Sequence, residues 1–213
     1  MLAISAPNAA EAWEQSLLAF LNHELKLQDS GHIGGPFLEL PNTILNIDFP
    51  LAEPQVSQAY AFPDTLFRFF TPDMNRYREA VLVHERMQRW PTESKVIDQL
   101  GYILRLLRRS IGSRRAVMAL WDPIIDHHED DAIAPCLVQF RFVDNGLTKG
   151  LDLTLVLRSC DAWVGAPVNL VAFSSLLEYV SSQLKVEVGR LIYHVVSYHL
   201  YQNDVPAVRQ ALL

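Results

Sequence analysis

The chain has 213 residues, half of them hydrophobic and a fifth charged, with a formal net charge of −6. That profile fits a folded globular protein and excludes a disordered segment, which carries fewer apolar residues and more charge. The acidic balance, with no Lys/Arg stripe or basic tail, argues against nucleic acid as the main partner, because such binding rests on neutralising phosphates. Cys136 and Cys160 are the two cysteines, which suits a reducing compartment better than a disulfide scaffold. The N-terminal residues lack a basic stretch followed by an apolar core, and no run reaches the roughly 18 apolar residues of a membrane span. The expectation is one domain over residues 1–213, cytoplasmic, with no membrane partner.

Residues 9–27 place Trp13, Leu17, Phe20, Leu21 and Leu25 at helical spacing. Residues 28–36 form a Gly-rich turn, and 37–49 alternate in the manner of one or two strands. Pro50, Pro54, Pro63 and Pro72 make 50–72 irregular, with a short helix over 66–70. A charged helix is predicted over 73–89. Pro91-Thr92-Glu93-Ser94 starts the next helix, which runs through Val96, Leu100, Ile103, Leu104 and Leu107 and ends at Gly112 in a left-handed cap. Residues 115–121 read as a strand and 127–131 as a polar loop. Strands over 137–143 and 151–157 are joined at Asn145-Gly146, a strong hairpin signal. A long apolar helix is predicted over 168–184, a strand over 190–198, and a last helix from Pro206. The mixture has no regular βαβ rhythm, so the fold class is α+β with one large sheet flanked by helices.

Several residue types carry chemistry. A cysteine thiolate is a strong nucleophile when nearby cations lower its pKa. Cys136, at the start of a predicted strand, fits that role or that of a small buried hydrophobe. Arg114, Arg115 and Arg158 suit an anion, since guanidinium forks match phosphate oxygens. The first pair, following a helix end, equally suits the helix dipole. Arg158 directly follows an apolar run, where a charge usually has a partner. Asn169 fits either a helix N-cap or a reader of a pyrimidine's carbonyl and ring N–H, because an amide both donates and accepts. His199 and Tyr201 face the same side if their segment is extended. The run His127-His128-Glu129-Asp130-Asp131 has no second ligand group at metal spacing, so no metal is expected.

Together these residues resemble the thymidylate synthase and pyrimidine nucleotide hydroxymethylase family. The resemblance runs over 96–204, while 1–95 is divergent and shortened. It is carried by Asp98-Gln99-Leu100, Ser113-Arg114-Arg115, Ala134-Pro135-Cys136, Arg158-Ser159-Cys160-Asp161, Gly165-Ala166-Pro167-Val168-Asn169 and His199-Leu200-Tyr201-Gln202-Asn203. It implies an α+β fold with a large mixed sheet that packs against a second copy, so that each subunit donates side chains to the other's site. Cys136 matches the nucleophile that adds to carbon 6 of a pyrimidine nucleoside 5′-monophosphate, with dUMP or UMP favoured. Arg158 and Ser159 match the phosphate site, and Arg114 and Arg115 the pair that reaches it from the partner subunit. Asn169 matches the base reader and favours uracil, while His199 and Tyr201 match the sugar readers. Asp161 matches an acid near both base and cofactor, Gly165 lies in the cofactor region, and Asp64 is nearest to the family's proton-transfer acid. The implied cofactor is 5,10-methylenetetrahydrofolate, with methyl or hydroxymethyl as product. The alternatives are a nucleotide-binding member without folate chemistry and a Cys-dependent nucleotide hydrolase.

Departures accompany these matches. Leu137 stands where the family has His after its Cys, and Leu157 where it has Gln before Arg-Ser. No Arg stands in the Gln28-Asp29-Ser30-Gly31-His32 stretch, and the tryptophan segment of the folate pocket looks deleted. The family's closing tail beyond Tyr201 is expected to be missing.

Overall fold

In the computed structural model, which describes residues 1–29, 35–60, 78–91, 96–128, 132–146 and 148–213, the chain begins with strand β1 (Leu2–Ala6). Helix α1 (Ala9–Asn22), strand β2 (Phe37–Ile47) and helix α2 (Arg78–Gln88) follow. A small ribbon, β3 (Trp90–Pro91) with β4 (Val96–Ile97), leads into α3 (Gln99–Arg109) and β5 (Val117–Ala119). The second half holds β6 (Pro135–Asp144), β7 (Lys149–Asp161), α4 (Gly165–Leu184), β8 (Val188–Tyr201) and α5 (Val205–Leu212). The large sheet has six strands in the order β1-β2-β8-β7-β6-β5. β7 and β8 run parallel across the α4 connection, as do β1 and β2 across α1, and the other neighbours are antiparallel. This is the α+β fold with a large mixed sheet that the sequence implied.

The sheet changes its pleat along one line. Buried apolar side chains on β7 are Leu151, Leu153, Leu155 and Leu157, and then Cys160 rather than Ser159. β8 makes the same one-residue shift, from Leu191, Tyr193 and Val195 to Tyr198 and Leu200. On β2 it falls between Thr43 and Leu40, around Asn42, whose φ of 52° is a left-handed conformation that Asn tolerates. On β6 it falls between Val138 and Pro135, with a register irregularity at Cys136. Pro41 and Ser159 both pair with Ser197, so the shifts lie side by side. Such shifts re-aim side chains, and Cys136, Arg158, Ser159, Asp161, His199 and Tyr201 lie at or beyond this line.

Helices α1 and α4 cover one sheet face. Trp13 of α1 is fully buried, stacks on Trp163 at 5.4 Å and donates its indole N–H to the Ala162 carbonyl at 2.7 Å. Burying such a ring anchors the loop between β7 and α4. The opposite face carries Leu137, Gln139, Thr154, Val156, Ile192 and His194, all half-buried, with exposed Val117 and Val196.

Local signals move several boundaries. The helix expected over 9–27 stops at Asn22, because His23 turns back and gives both its backbone N–H (3.2 Å) and its ring Nδ1 (2.7 Å) to the Ala19 carbonyl. The helix expected to start at Pro91–Ser94 begins at Gln99 instead. Asp98 caps it, accepting from the Gly101 N–H at 2.7 Å, and Val96–Ile97 pairs with Trp90–Pro91. That helix closes at Arg109, and Gly112 lies in the turn beyond; the left-handed glycines among the described residues are Gly35, Gly146 and Gly150. Strand β1 has no counterpart among the expected elements. The apolar helix starts at Gly165, not 168, which places Asn169 inside α4 and overturns its reading as an N-cap. The Asn145-Gly146 hairpin holds, with Gly146 at φ 82°. The short helix expected over 66–70 and the end of the loop over 127–131 lie outside the described residues.

Candidate functional site

Cys136 occupies the bulge where β6 loses register with β7. Its carbonyl accepts from two successive N–H groups, Leu120 at 2.9 Å and Trp121 at 3.3 Å, which fixes the backbone. Its half-buried thiol lies 3.5 Å from the Ala134 carbonyl. Opposite, Arg158 leaves β7 and wraps its guanidinium around the segment before Cys136. Nε donates to the Ile133 carbonyl (3.1 Å), Nη2 to that of Ala132, and Nη1 to Ser159 Oγ (3.2 Å). The guanidinium lies 5.7 Å above the Trp121 ring. Burial pushes the Cys136 thiol above its ordinary value. The backbone N–H and guanidinium of Arg158 pull it back down, and Asp126 adds a smaller upward push. At neutral pH the resting thiol therefore carries its proton.

At the end of the parallel pair, Asp161 is directly opposite His199, and Tyr201 lies two residues further on. The segment is extended, so His199 and Tyr201 share a side, and their rings meet edge-on at 5.1 Å. Asp161 Oδ1 accepts the N–H groups of Trp163 (2.8 Å) and Val164 (3.1 Å), while Oδ2 has no partner among the described residues. Burial raises the Asp161 pKa; the two N–H bonds and His199 pull down, and Asp204 pushes up. Gly165 opens α4 against this corner, where an added Cβ would sit 3.4 Å from Cys160 Sγ.

Asn169 points from α4 back into the sheet. Its Nδ2 donates to Tyr193 Oη at 3.3 Å and approaches Cys160 Sγ at 3.6 Å. Tyr193 Oη in turn lies 3.0 Å from Cys160 Sγ. The Asn169 carbonyl oxygen Oδ1 makes no hydrogen bond among the described residues, and the residue is partly exposed.

The structure thus places Cys136, Arg158, Ser159, Asp161, His199 and Tyr201 at or beyond the line of pleat shifts, while Gly165 and Asn169 approach Cys160 from α4. It does not bring in Arg114 or Arg115. Both are exposed between α3 and β5, near the uncovered sheet face, where Gln139 Nε2 donates to the Arg114 carbonyl at 3.1 Å. Neither guanidinium has a partner among the described residues. Asp64 lies outside those residues. No group of three His, Cys, Asp or Glu among the described residues could hold a metal ion, and no described helix is long and apolar enough to cross a membrane.

Other contributors carry no signal in the sequence. Tyr193 reads there as one more core residue of an alternating strand, and Cys160 has no signal of its own. Trp121 lies beneath Arg158. Arg86 of α2 forms a buried fork on Asp126, at 2.6 and 2.9 Å, and also donates to the Leu120 carbonyl at 2.6 Å. Asp126 accepts the Asp122 N–H at 2.6 Å, so the turn that carries Trp121 is closed on itself. An arginine in a charged helix, 40 residues from its partner, gives no warning of this pairing.

The family model described as thymidylate synthase matches residues 71–213. This chain belongs to the thymidylate synthase family. It is similar to the thymidylate synthase of Buchnera aphidicola subsp. Baizongia pistaciae, with 33% identity over 61% of this chain and 48% of that protein. The corresponding protein of Buchnera aphidicola subsp. Schizaphis graminum is 30% identical over 58% of this chain and 46% of its own length. A putative thymidylate synthase of Methanocaldococcus jannaschii is 27% identical over 94% of this chain and 91% of that protein. The chain therefore spans about half the length of the two Buchnera relatives, and nearly the whole of the archaeal one.

Proposed function

We propose that this chain is a transferase acting at carbon 5 of a pyrimidine nucleoside 5′-monophosphate, with uracil as the favoured base. The observation that carries the reading is that Cys136 and the Arg158–Ser159 pair lie at the pleat shift of neighbouring strands, while Asn169 reaches from α4 to Cys160 on the same line. In this reading the Cys136 thiolate adds to carbon 6 of the ring. The ring electron pair moves toward carbon 5, which becomes the nucleophile. After substitution at carbon 5, that carbon's proton leaves to a base and the Cys136–carbon 6 bond breaks, which restores the thiolate. The resting thiol is protonated, so the addition needs its proton removed as the nucleotide binds. Among the described residues, Arg158 is the cation that favours the thiolate.

Phosphate oxygens suit the guanidinium of Arg158 and the hydroxyl of Ser159. His199 and Tyr201 present a ring nitrogen and a phenol on one side, which suits a sugar hydroxyl. Arg114 and Arg115, without partners of their own among the described residues, suit the phosphate site of a second copy packed on the uncovered sheet face. Methylenetetrahydrofolate, when bound, supplies the one-carbon unit. The donor set fits it at one point: Asp161 keeps Oδ2 open to accept an N–H of a pterin ring, beside Gly165.

Incubation with dUMP or UMP tritiated at carbon 5, with and without methylenetetrahydrofolate, tests this. Release of label that requires Cys136 is the expected result. No release under any condition would defeat the reading, and tight nucleotide binding without release would favour a binding protein that lacks folate chemistry.

A further inference from the structure

Asn169 Nδ2 meets the hydroxyl of Tyr193, a fully buried residue on β8. Which of the two donates is settled by the next links. Cys160 gives its thiol proton to the Asp161 carbonyl at 3.3 Å, so its sulfur is left to accept. Tyr193 Oη–H donates to that sulfur at 3.0 Å. A phenol has one proton, so toward Asn169 it offers only a lone pair. The amide must then turn its NH₂ toward Tyr193 and its carbonyl oxygen away. Burial raises the Tyr193 pKa well above its ordinary value, so the phenol keeps the proton that the relay requires.

This direction has a consequence for the base. A carboxamide presents one edge made of its oxygen and one N–H. Uracil offers a ring N–H beside a carbonyl, and cytosine offers a ring nitrogen beside an amino group. A half-turn of the amide exchanges oxygen for NH₂ and so exchanges one complementary pyrimidine for the other. We infer that Tyr193, set by Cys160, is the positioning residue that holds Asn169 in a single amide orientation and thereby fixes the choice between uracil and cytosine. The inference rests on the reading of Asn169 as the base-facing residue. Loss of the phenol leaves the amide free to turn, at the scale of one neutral hydrogen bond.

Calorimetric titration of wild type, Tyr193→Phe and Cys160→Ala with dUMP and dCMP, alongside their melting temperatures, tests this. Wild type is expected to favour dUMP. In Tyr193→Phe the dUMP-to-dCMP affinity ratio is expected to fall by about two- to tenfold, mostly through tighter dCMP binding. Tighter binding of either base is not what a merely structural role would give. Cys160→Ala removes the acceptor for the Tyr193 proton and is expected to narrow the ratio as well, while Cys160→Ser, which both donates and accepts, should preserve it. An unchanged ratio in folded Tyr193→Phe, or in Cys160→Ala should the former not fold, would overturn the inference. A wild type that binds neither nucleotide would defeat the nucleotide reading itself. A wild type that favours dCMP would defeat the uracil choice, and the change of ratio in Tyr193→Phe would then decide the role of Tyr193 independently.

Discussion

At the proposed base end of the cleft, Asn169 is tied through Tyr193 and Cys160 to the backbone of Asp161, all within one chain and mostly out of water. At the proposed phosphate end, Arg158 directs its donors onto the carbonyls of Ala132 and Ile133 and onto Ser159, and Arg114 and Arg115 lie exposed, without partners among the described residues. The two ends are different kinds of site. A buried relay has one satisfied arrangement, because every misdirected proton leaves a polar group unpaired at low dielectric. Exposed guanidinium groups have many, and their direction is set by whatever anion arrives. In the proposed reading, the base is selected by one subunit's fold and the phosphate is held by charge gathered from two.

The largest change should come from the proposed nucleophile, beside the phosphate end. Cys136→Ser should abolish release of tritium from carbon 5 while dUMP affinity, read by calorimetry, stays near wild type. If the serine variant still releases label, Cys136 is not the nucleophile. Next comes the brace under the phosphate end. Arg86→Ala leaves Asp126 buried and unpaired, with an expected loss of about 3–5 kcal/mol of stability in denaturant unfolding. Arg86, the Asp122 N–H and the charge of Arg158 hold the Asp126 pKa below its ordinary value despite burial. The contribution of the pair is thus complete above the unfolded aspartate value of about 3.9 and is lost as pH falls through the lower folded value. A melting temperature that is flat over that acid range would contradict the assignment.

Smaller effects separate the two ends directly. Arg158→Ala should weaken monophosphate binding by about 1.5–3 kcal/mol and leave nucleoside binding unaffected, the signature of a charged hydrogen bond. Equal loss for both ligands would move Arg158 to a structural role. Asn169→Asp should change the dUMP-to-dCMP ratio by about tenfold in favour of cytosine without altering the phosphate contribution, since a carboxylate has no N–H for a uracil carbonyl. The smallest effect concerns Asp161. Burial raises its carboxyl pKa above the ordinary aspartate value, so its ionised form is lost at a higher pH than that of a free aspartate. If ionised Asp161 is needed, label release should decline as that form is lost, and Asp161→Asn should remove that limb of the pH profile.

Much of the scaffold was legible in the sequence because its signals are local. The Asn145-Gly146 turn, the apolar alternation of β7 and the runs that became α1, α3 and α4 each announce themselves within a dozen residues. The ends of those elements did not. His23 and Asp98 move helix boundaries through one or two hydrogen bonds each that composition does not weigh. Of the site, the residue identities were legible through their spacing, yet their geometry was not. Asn169 fitted an N-cap as well as it fitted a base reader until α4 began a turn earlier. Tyr193 was invisible because a buried tyrosine in an alternating strand looks like any core residue, and only its hydroxyl, 24 residues from Asn169 in sequence, gives it a further role. The line of pleat shifts needs four strands at once, and no single segment encodes it.

The most direct test is a crystal structure of the chain with dUMP. The expected pose places carbon 6 of the ring against Cys136 Sγ, the phosphate on the Arg158 guanidinium and Ser159 Oγ, and the base edge on Asn169, with Nδ2 still directed at Tyr193. A nucleotide bound elsewhere, or one bound in this cleft with its phosphate on the Asn169 side, would contradict the assignment of the site.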